Sequence, residues 1–253
     1  MITPVIDIGA ARRHLLSAPT SAVFDPAELE DQLEPVRRYF NASITPGAAL
    51  PTAVRLRMRG HIKLRSWLPF RADQVLAPHA GVVWRARAAG VITGHDVYID
   101  ERGEMRWKLL GLATVMRADG PDISKAAAGR CGGEGVWLPS ALLPRFGVRW
   151  SAPDDDHIVA TFSVGTTPIE LHLRIDDTGR VVSVVFDRWG DPDQTGTFGW
   201  HPFGGDITDH QTFAGLAVPN QGSWGWFYGT DRWPDGEFFR CRITGYETTV
   251  RSA

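Results

Sequence analysis

Hydrophobic and polar residues follow two different periods along this chain. Near the start the period is helical: Asp25 and Pro26 supply an N-cap and a first helical position. Hydrophobic residues then recur every three or four positions, at Leu29, Leu33, Val36 and Phe40. This pattern predicts a helix within an N-terminal helical segment over residues 1–50. Two prolines and a glycine in residues 41–51 predict a connecting loop.

From Val54 onward the period is two. Val54, Leu56 and Met58 alternate with three arginines, as expected for a strand with one buried face. Further runs of this kind predict strands over residues 61–64, 81–88, 95–99, 104–110, 112–117, 148–150, 158–164, 169–176, 181–189, 205–213, 222–228 and 237–249. Many short strands at such spacing favour an antiparallel meander.

Two turns between predicted strands can be read directly. The sequences "DERG" (residues 100–103) and "DDTG" (residues 176–179) each place a glycine where a hairpin needs a positive φ. We therefore expect the strands on either side of each turn to be antiparallel neighbours.

One helical interruption divides the strands. Asp122 or Ser124 can cap a helix that carries "KAAAGR", and a second short helix through "SALL" follows Gly132 and Gly133. The predicted fold is mainly β, a curved antiparallel sheet forming a half-barrel or open barrel, with an N-terminal helix and a central helical plug. We expect a single domain over residues 1–253, with strands in 52–120 and 146–253 and the plug in 121–145.

Composition and charge limit the classes of function that the protein can have. The formal net charge is −2, from 27 basic and 29 acidic residues, so no overall field attracts nucleic acid or an anionic membrane. Cys131 and Cys241 lie in no metal-binding or disulfide motif. We therefore expect no metal. A phosphate-loop motif is also missing from the sequence, so we expect no cofactor. The missing nucleophile elbow argues against covalent catalysis. No export signal or membrane span is recognised, so we expect a cytoplasmic protein.

Several long phrases occur in a fixed order: "LEPVRRYF", "GVVWRARA", "DVYIDERGEMRWKLLGL", "EGVWLPSALLP", "GRVVSVVFDRW" and "GLAVPNQGSWGW". In these phrases the chain resembles an uncharacterised bacterial family, a domain of unknown function common in actinobacteria. By analogy the resemblance implies a curved antiparallel sheet of the lipoprotein-carrier type, in which a half-barrel and its helices enclose an apolar cavity.

Four polar residues are candidates for acid–base chemistry. Glu134 stands among apolar residues, where a desolvated carboxyl group can act as a proton donor, although an ion pair with Arg130 is the simpler interpretation. His210 and Asp206 belong to "FGWHPFGGDITDH", whose strand alternation places them on one face. Tyr98 is a further polar candidate, or a buried tyrosine that merely finds a hydrogen-bond partner.

Aromatic residues are the candidate ligand-binding groups, since ten tryptophans are available for a core or for a pocket wall. The alternation in "GSWGWFY" places Trp224, Trp226 and Tyr228 on one sheet face. Arg85 could hold a carboxylate if its face is concave, and otherwise faces solvent. The complete set of candidates is Trp84, Trp107, Trp137, Trp189, Trp224, Trp226, Tyr228 and Arg85.

Two functions fit these residues. In the first, an apolar or amphipathic small molecule in the sheet cavity undergoes cofactor-independent acid–base chemistry, as in an isomerase, a cyclase or an addition enzyme. In the second, the cavity belongs to a non-catalytic carrier or sensor of a lipid-like or pigment-like ligand. Catalysis requires at least two of the polar candidates to converge within hydrogen-bonding distance.

Overall fold

The structure, a computed structural model, describes residues 5–17 and 22–248. Thirteen strands of this part form one antiparallel sheet. Their bounds are β1 Val54–Lys63, β2 Trp67–Ala77, β3 Gly81–Ala88, β4 Ile92–Ile99, β5 Arg102–Leu109, β6 Ala113–Asp119, β7 Arg149–Ser151, β8 His157–Val164, β9 Thr167–Ile175, β10 Val181–Gly190, β11 Gly199–Phe213, β12 Leu216–Trp226 and β13 Glu237–Thr248.

The sheet consists of two meanders. They are joined by pairing between the first strand of the first meander and the last strand of the second. Strands β1 to β6 follow one another in space, as do β7 to β13, and β1 pairs with β13 from Val54 opposite Thr248 to Ile62 opposite Phe239. Strands β6 and β7 are therefore the two edges, and the described sheet is open. The predicted mainly β, antiparallel fold is confirmed.

In the described residues, four α-helices accompany the sheet: α1 Ile8–Leu15, α2 Glu34–Ser43, α3 Pro121–Gly133 and α4 Trp233–Gly236. Helix α3 connects the two edge strands and is the predicted central plug. It packs on β4 and β5 in one meander and on β8, β9 and β10 in the other. Strands that stand so far apart in the sheet order can contact one helix only if the sheet curves around it, which confirms the predicted curvature.

The face covered by α3 is the inner face of the sheet. Leu56, Gln74, Trp84 and Asp96 lie opposite one another on β1 to β4 and share this face. Arginines alternate with them, and the exposed Arg85 lies on the outer face. Helix α1 covers part of the outer face, where its buried residues pack against β2, β3 and β4.

The predicted N-terminal helix is interrupted. Residues Pro26–Leu29 form one 3-10 turn, and α2 starts only at Glu34, after an extended Leu33. Pro35 explains the restart, because a proline lacks the backbone N–H that a continuous helix would need and fits the first turn instead. Helix α2 also runs to Ser43, into the segment that was predicted to be a loop.

The sequence pattern missed β2. Pro69, Asp73 and Gln74 disguise its alternation, yet Pro69 is tolerated near the strand start and Gln74 is fully buried. The two strands predicted over 54–59 and 61–64 are the single strand β1, within which Gly60 lies against the backbone of β13. The plug's second helix is a series of 3-10 turns, Glu134–Trp137, Pro139–Leu142 and Pro144–Phe146.

Both predicted hairpins form, but only in one of them does the glycine have the expected positive φ. Gly179 has φ +87° in the β9–β10 turn. In the β4–β5 turn the positive φ values belong to Asp100 and Glu101, and Gly103 lies within β5. A Cβ at Gly103 would lie 2.7 Å from the Ile123 carbonyl oxygen, so this glycine lets α3 approach the sheet closely.

Some predictions fall outside the described residues. These are the parts of the helical segment in residues 1–4 and 18–21, and the end of the last strand at Thr249. Within the described ranges, no helix combines the length and the apolar character needed to cross a membrane.

Candidate functional site

A cavity of about 400 Å³ lies between the inner face of the sheet and the segment of α3 and its following turn. Its volume falls in the range of roughly 300–1,000 Å³ that is typical of small-molecule sites. Its wall is mostly aromatic and aliphatic: Ile62, Leu64, Trp84, Ala88, Ile92, Met105, Trp107, Val115, Met116, Val136, Trp137, Val184, Phe186, Phe203, Trp224, Trp226, Phe238 and Phe239.

The cavity opens at one end of the sheet. Leu64, Val115 and Met116 line it and are also exposed to solvent. Leu64 belongs to the β1–β2 turn and the other two belong to the edge strand β6. A ligand can therefore enter at the turn end of the first meander.

Arg130 organises the polar part of the wall. Its Nη1 donates to Asp96 Oδ2 and its Nε donates to Glu134 Oε1, both at 2.7 Å. Gln74 Nε2 donates to Glu134 Oε2 at 2.8 Å, and Trp107 Nε1 donates to the second Asp96 oxygen at 3.2 Å. Every oxygen of the two carboxylates thus accepts a hydrogen bond.

Electrostatics hold this cluster together. Burial by itself lowers the pKa of Arg130, but the carboxylates of Glu134 and Asp96 outweigh burial and raise that pKa above its ordinary value. Both oxygens of Glu134 are already engaged by protein donors. Glu134 is therefore a structural ion-pair partner in this arrangement, and neither of its oxygens is free to bind a ligand.

Six of the twelve predicted site residues lie around the cavity. They are Glu134, Trp84, Trp107, Trp137, Trp224 and Trp226. The strand register brings Trp84 beside Asp96, and Trp107 packs over Gly94 of the neighbouring strand. Trp137 and Trp224 meet edge to face, with ring centroids 5.5 Å apart.

The other acid–base candidates lie outside the cavity wall. Tyr98 is buried near Gly165, and burial, followed by the charges of Cys131 and Glu101, raises its pKa. His210 borders a separate small void of about 10 Å³, and burial, followed by Arg180, lowers its pKa. None of the four candidates converges with another in the described structure.

Asp206 and His210 do not share a face, contrary to the alternation. Bulges interrupt β11 between Ile207 and Asp209 and again before His210. The exposed Asp206 instead accepts a hydrogen bond from Tyr228 Oη at 2.5 Å. Burial, then this bond, raises the pKa of Tyr228 to about 12.

Tyr228 also departs from the predicted aromatic row. Strand β12 ends at Trp226, and Phe227 has φ +60°, so the chain turns before Tyr228. Trp189 likewise lies away from the cavity and donates to Asp122 Oδ1 at 2.9 Å. Arg85, on the outer face, is not part of the wall either.

Arg188 was not predicted as a wall residue, although the sequence carries a readable signal for it. Arg188 lies on the cavity, and in "VVSVVFDRW" it follows Val184 and Phe186 at a spacing of two. Asp96 and Gln74 were also missed as wall or cluster residues. Gln74 gave no usable signal, because its strand was not recognised.

Comparison with known proteins identifies a family and finds solved structures with limited similarity. No curated protein matches the chain. A solved domain from Vibrio parahaemolyticus, described as an outer membrane lipoprotein-sorting protein, is similar with a TM-score of 0.42 and 8% identity, over 90% of this chain and 95% of that one. A LolA superfamily protein from Nitrosomonas europaea is similar with a TM-score of 0.42 and 9% identity, over 92% and 96% of the two chains.

The phrases singled out in the sequence lie within residues 22–238, which match the model of a protein family. This match covers most of the chain and confirms the resemblance to a domain of unknown function. The protein belongs to DUF6544, a family of unknown function.

Proposed function

We propose that this protein binds a mainly apolar small molecule in the cavity beneath α3 and holds it unchanged, as a carrier or sensor. The observation that carries the proposal is the aromatic and aliphatic wall of a 400 Å³ cavity that is open at one end. Such a wall releases water when an apolar ligand enters, which is favourable in proportion to the buried area.

The placement of the polar groups favours binding over turnover. Glu134 is the one acid–base candidate on the wall, and Arg130 and Gln74 occupy its oxygens. Tyr98, His210 and Asp206 lie elsewhere, so none of them can act together with Glu134 on one ligand. The second carboxylate of the wall, Asp96, has both oxygens engaged as well. A carrier needs no free acid–base pair.

The test uses Nile red, a neutral apolar dye that fluoresces in apolar surroundings. We expect the delipidated protein to bind one dye molecule per chain in a saturable manner. Met105→Trp should weaken binding markedly by occupying part of the cavity, because Met105 lines the wall beside Asp96 in the strand register. Val182→Trp, at an exposed position of β10, is the matched control and should bind normally.

Unsaturable dye uptake, or equal binding by Met105→Trp and the wild type, would contradict the proposal. Chromatography of ligand extracted from the purified protein, before and after incubation, separates the two functions. A carrier returns the ligand at an unchanged retention time. Conversion to an isomer or adduct would favour acid–base chemistry instead.

A further inference from the structure

Arg188 lies against the aromatic wall of the cavity. Its guanidinium carbon is 4.7 Å from the ring centroid of Phe203 and 5.0 Å from that of Trp226. Both rings line the cavity, as does Arg188 itself. The cation is thus held beside the space that a ligand would fill.

The guanidinium has few partners of its own. Its Nε donates to the Ala126 carbonyl at 3.4 Å, and among residues 5–17 and 22–248 it forms no ion pair. Arg130, by contrast, has two carboxylates. Burial, then repulsion by Arg130, lowers the pKa of Arg188 to about 10, so the group remains charged at neutral pH.

The carboxylates of the wall, by contrast, are fully used. The acceptors of the wall, Asp96 and Glu134, are engaged. A ligand that brings acceptor oxygens therefore suits this wall better than one that brings donors.

We propose that Arg188 binds the anionic head group, a carboxylate or a phosphate, of an amphipathic ligand whose apolar tail fills the cavity. This inference rests on the proposed function. The planar guanidinium offers paired N–H donors that match two oxygens of such a head group. The surrounding aromatic wall excludes water and so strengthens the interaction.

The test compares three probes with the same tail: hexadecanoate, hexadecyl phosphate and hexadecanol, in mildly alkaline buffer. We expect the wild type to bind at least one of the two anions about 10- to 100-fold more tightly than the alcohol. The preferred anion identifies the head group. Arg188→Met should bind all three probes with equal affinity while retaining the binding of hexadecanol.

Arg232→Met is the matched control, because Arg232 also stacks on a ring, that of Phe227, but pairs with Asp193 and lies outside the cavity wall. It should keep the preference for the anion. Equal binding of alcohol and anions by the wild type would overturn the head-group inference and leave the proposed function intact. Binding of none of the probes would overturn both.

A separate surface is formed by three turns at one end of the first meander. These turns, the apolar tip, are β1–β2 (residues 64–66), β3–β4 (89–91) and β5–β6 (110–112). Backbone hydrogen bonds tie them to their neighbours, from Ala89 N to Pro69 O and from Leu110 N to Val91 O. Leu64, Leu110 and Leu112 are 57%, 67% and 86% exposed, a cluster that costs free energy in water.

Around the apolar tip, the charged residues of the first meander all have the same sign. Segments 60–72, 85–94 and 105–118, which form the tip and its flanking strands, contain no acidic residue. Their charged residues are Lys63, Arg65, Arg71, Arg85, Arg87, Arg106, Lys108 and Arg117. The acidic residues at this end belong to the second meander. Examples are Asp193, which pairs with Arg232, and Glu237 of β13, which pairs with Arg240 and lies near Lys63.

The geometry points to a lipid bilayer rich in anionic phospholipid as the occupant of the apolar tip. Exposed leucines suit the acyl boundary, and surrounding lysines and arginines suit the phosphate layer. The tip is continuous with the cavity opening, since Leu64 belongs to both. An apolar ligand could then pass between bilayer and cavity with little exposure to water.

Vesicle co-sedimentation tests this inference independently of Arg188. The wild type should bind phosphatidylglycerol-containing vesicles more tightly than pure phosphatidylcholine vesicles. Leu110→Glu/Leu112→Glu should weaken binding at least about tenfold. Leu33→Glu, at an exposed leucine just before α2, should not.

A variant with Arg65→Gln and Lys108→Gln should lose most of the preference for anionic vesicles, at about fivefold per charge. The same affinity for vesicles in the wild type and Leu110→Glu/Leu112→Glu would overturn the bilayer assignment. A dimer that the wild type forms in solution and Leu110→Glu/Leu112→Glu does not form would also overturn it, because the tip would then bind a second copy of the chain.

Discussion

At the scale of single residues, the polar cluster of the cavity wall stabilises the fold. Arg130 neutralises two carboxylates that would otherwise lie unpaired against an aromatic wall. Removing one member of a buried charge cluster is much more costly than the net contribution of the intact cluster. The identity of Arg130 should therefore matter more to folding than to ligand chemistry.

Arg130→Met should lower the free energy of unfolding by about 3–5 kcal/mol, because Asp96 and Glu134 lose their cation. Urea denaturation at neutral pH measures the loss. Arg232→Met, which breaks an exposed pair with Asp193, should cost about 1 kcal/mol or less. Equal losses in the two variants would show that the cluster is not coupled to folding.

His210 should make stability depend on pH. Its pKa in the folded protein is lowered below 6.5, so just below that pH the unfolded chain binds more protons than the folded one. The free energy of unfolding should therefore fall as the pH drops through this window. His210→Gln should lose less stability than the wild type over the same range.

Urea titrations at several pH values measure this difference, with the exposed His61→Gln as the control. Parallel curves for the wild type and His210→Gln would show that His210 does not contribute. The opposite slope, with wild-type stability rising as the pH falls, would show that His210 gains a carboxylate partner when it is protonated.

The sequence predicted some of these residues and not others for physical reasons. Glu134 and Arg130 are four positions apart at a helix end, so their pairing could be considered without a structure. Arg188 could have been found from the alternation of β10. The separation of Asp206 from His210 could not, because bulges leave no clear mark on the pattern.

At the scale of elements, α3 depends on glycines that let it lie close to the sheet. A Cβ at Gly133 would lie 2.2 Å from the Phe186 ring, whereas a Cβ at Gly129 would meet only Arg188 Cγ at 3.5 Å. Gly133 has helical backbone angles, so space and not conformation requires glycine there. The short distance between α3 and β10 at Gly133 therefore determines how much space is left for the cavity between them.

Gly133→Ala should lower the free energy of unfolding by about 1–3 kcal/mol, because Phe186 must move. Gly129→Ala is the matched control in the same helix. It should stabilise the protein by up to about 1 kcal/mol, since alanine favours the helix and meets ordinary contacts. Thermal or urea unfolding checks both, and destabilisation of equal size would contradict this account of the packing.

The strands were predicted well wherever one face is buried and the other solvated. Strand β9 shows the cleanest alternation and was predicted almost to its ends. Strand β2 was missed because its buried face includes Gln74, whose polarity is satisfied by Glu134, sixty positions away. Local sequence carries no record of such a distant partner.

At the scale of the whole molecule, one inner core spans both meanders. Buried residues of β1 to β4, of α3 and of β8 to β13 belong to one contiguous cluster. Cooperative folding follows, since neither meander can bury its inner face alone.

Tryptophan fluorescence and far-ultraviolet circular dichroism should therefore report a single, coincident urea transition. Tryptophans occur in both meanders, for example Trp84 and Trp224, so fluorescence samples the two together. Two separated transitions would mean that the meanders fold as independent units.

The pairing of β1 with β13 also governs the order of events during synthesis. Of the thirteen strands, β1 is synthesised first and β13 last, so the pairing at the centre of the sheet is the last to form. Until then the nascent first meander presents an unpaired strand that begins with fully buried Val54. A chain stalled before residue 237 would be a strong substrate for chaperones and for aggregation, however well its first six strands had formed.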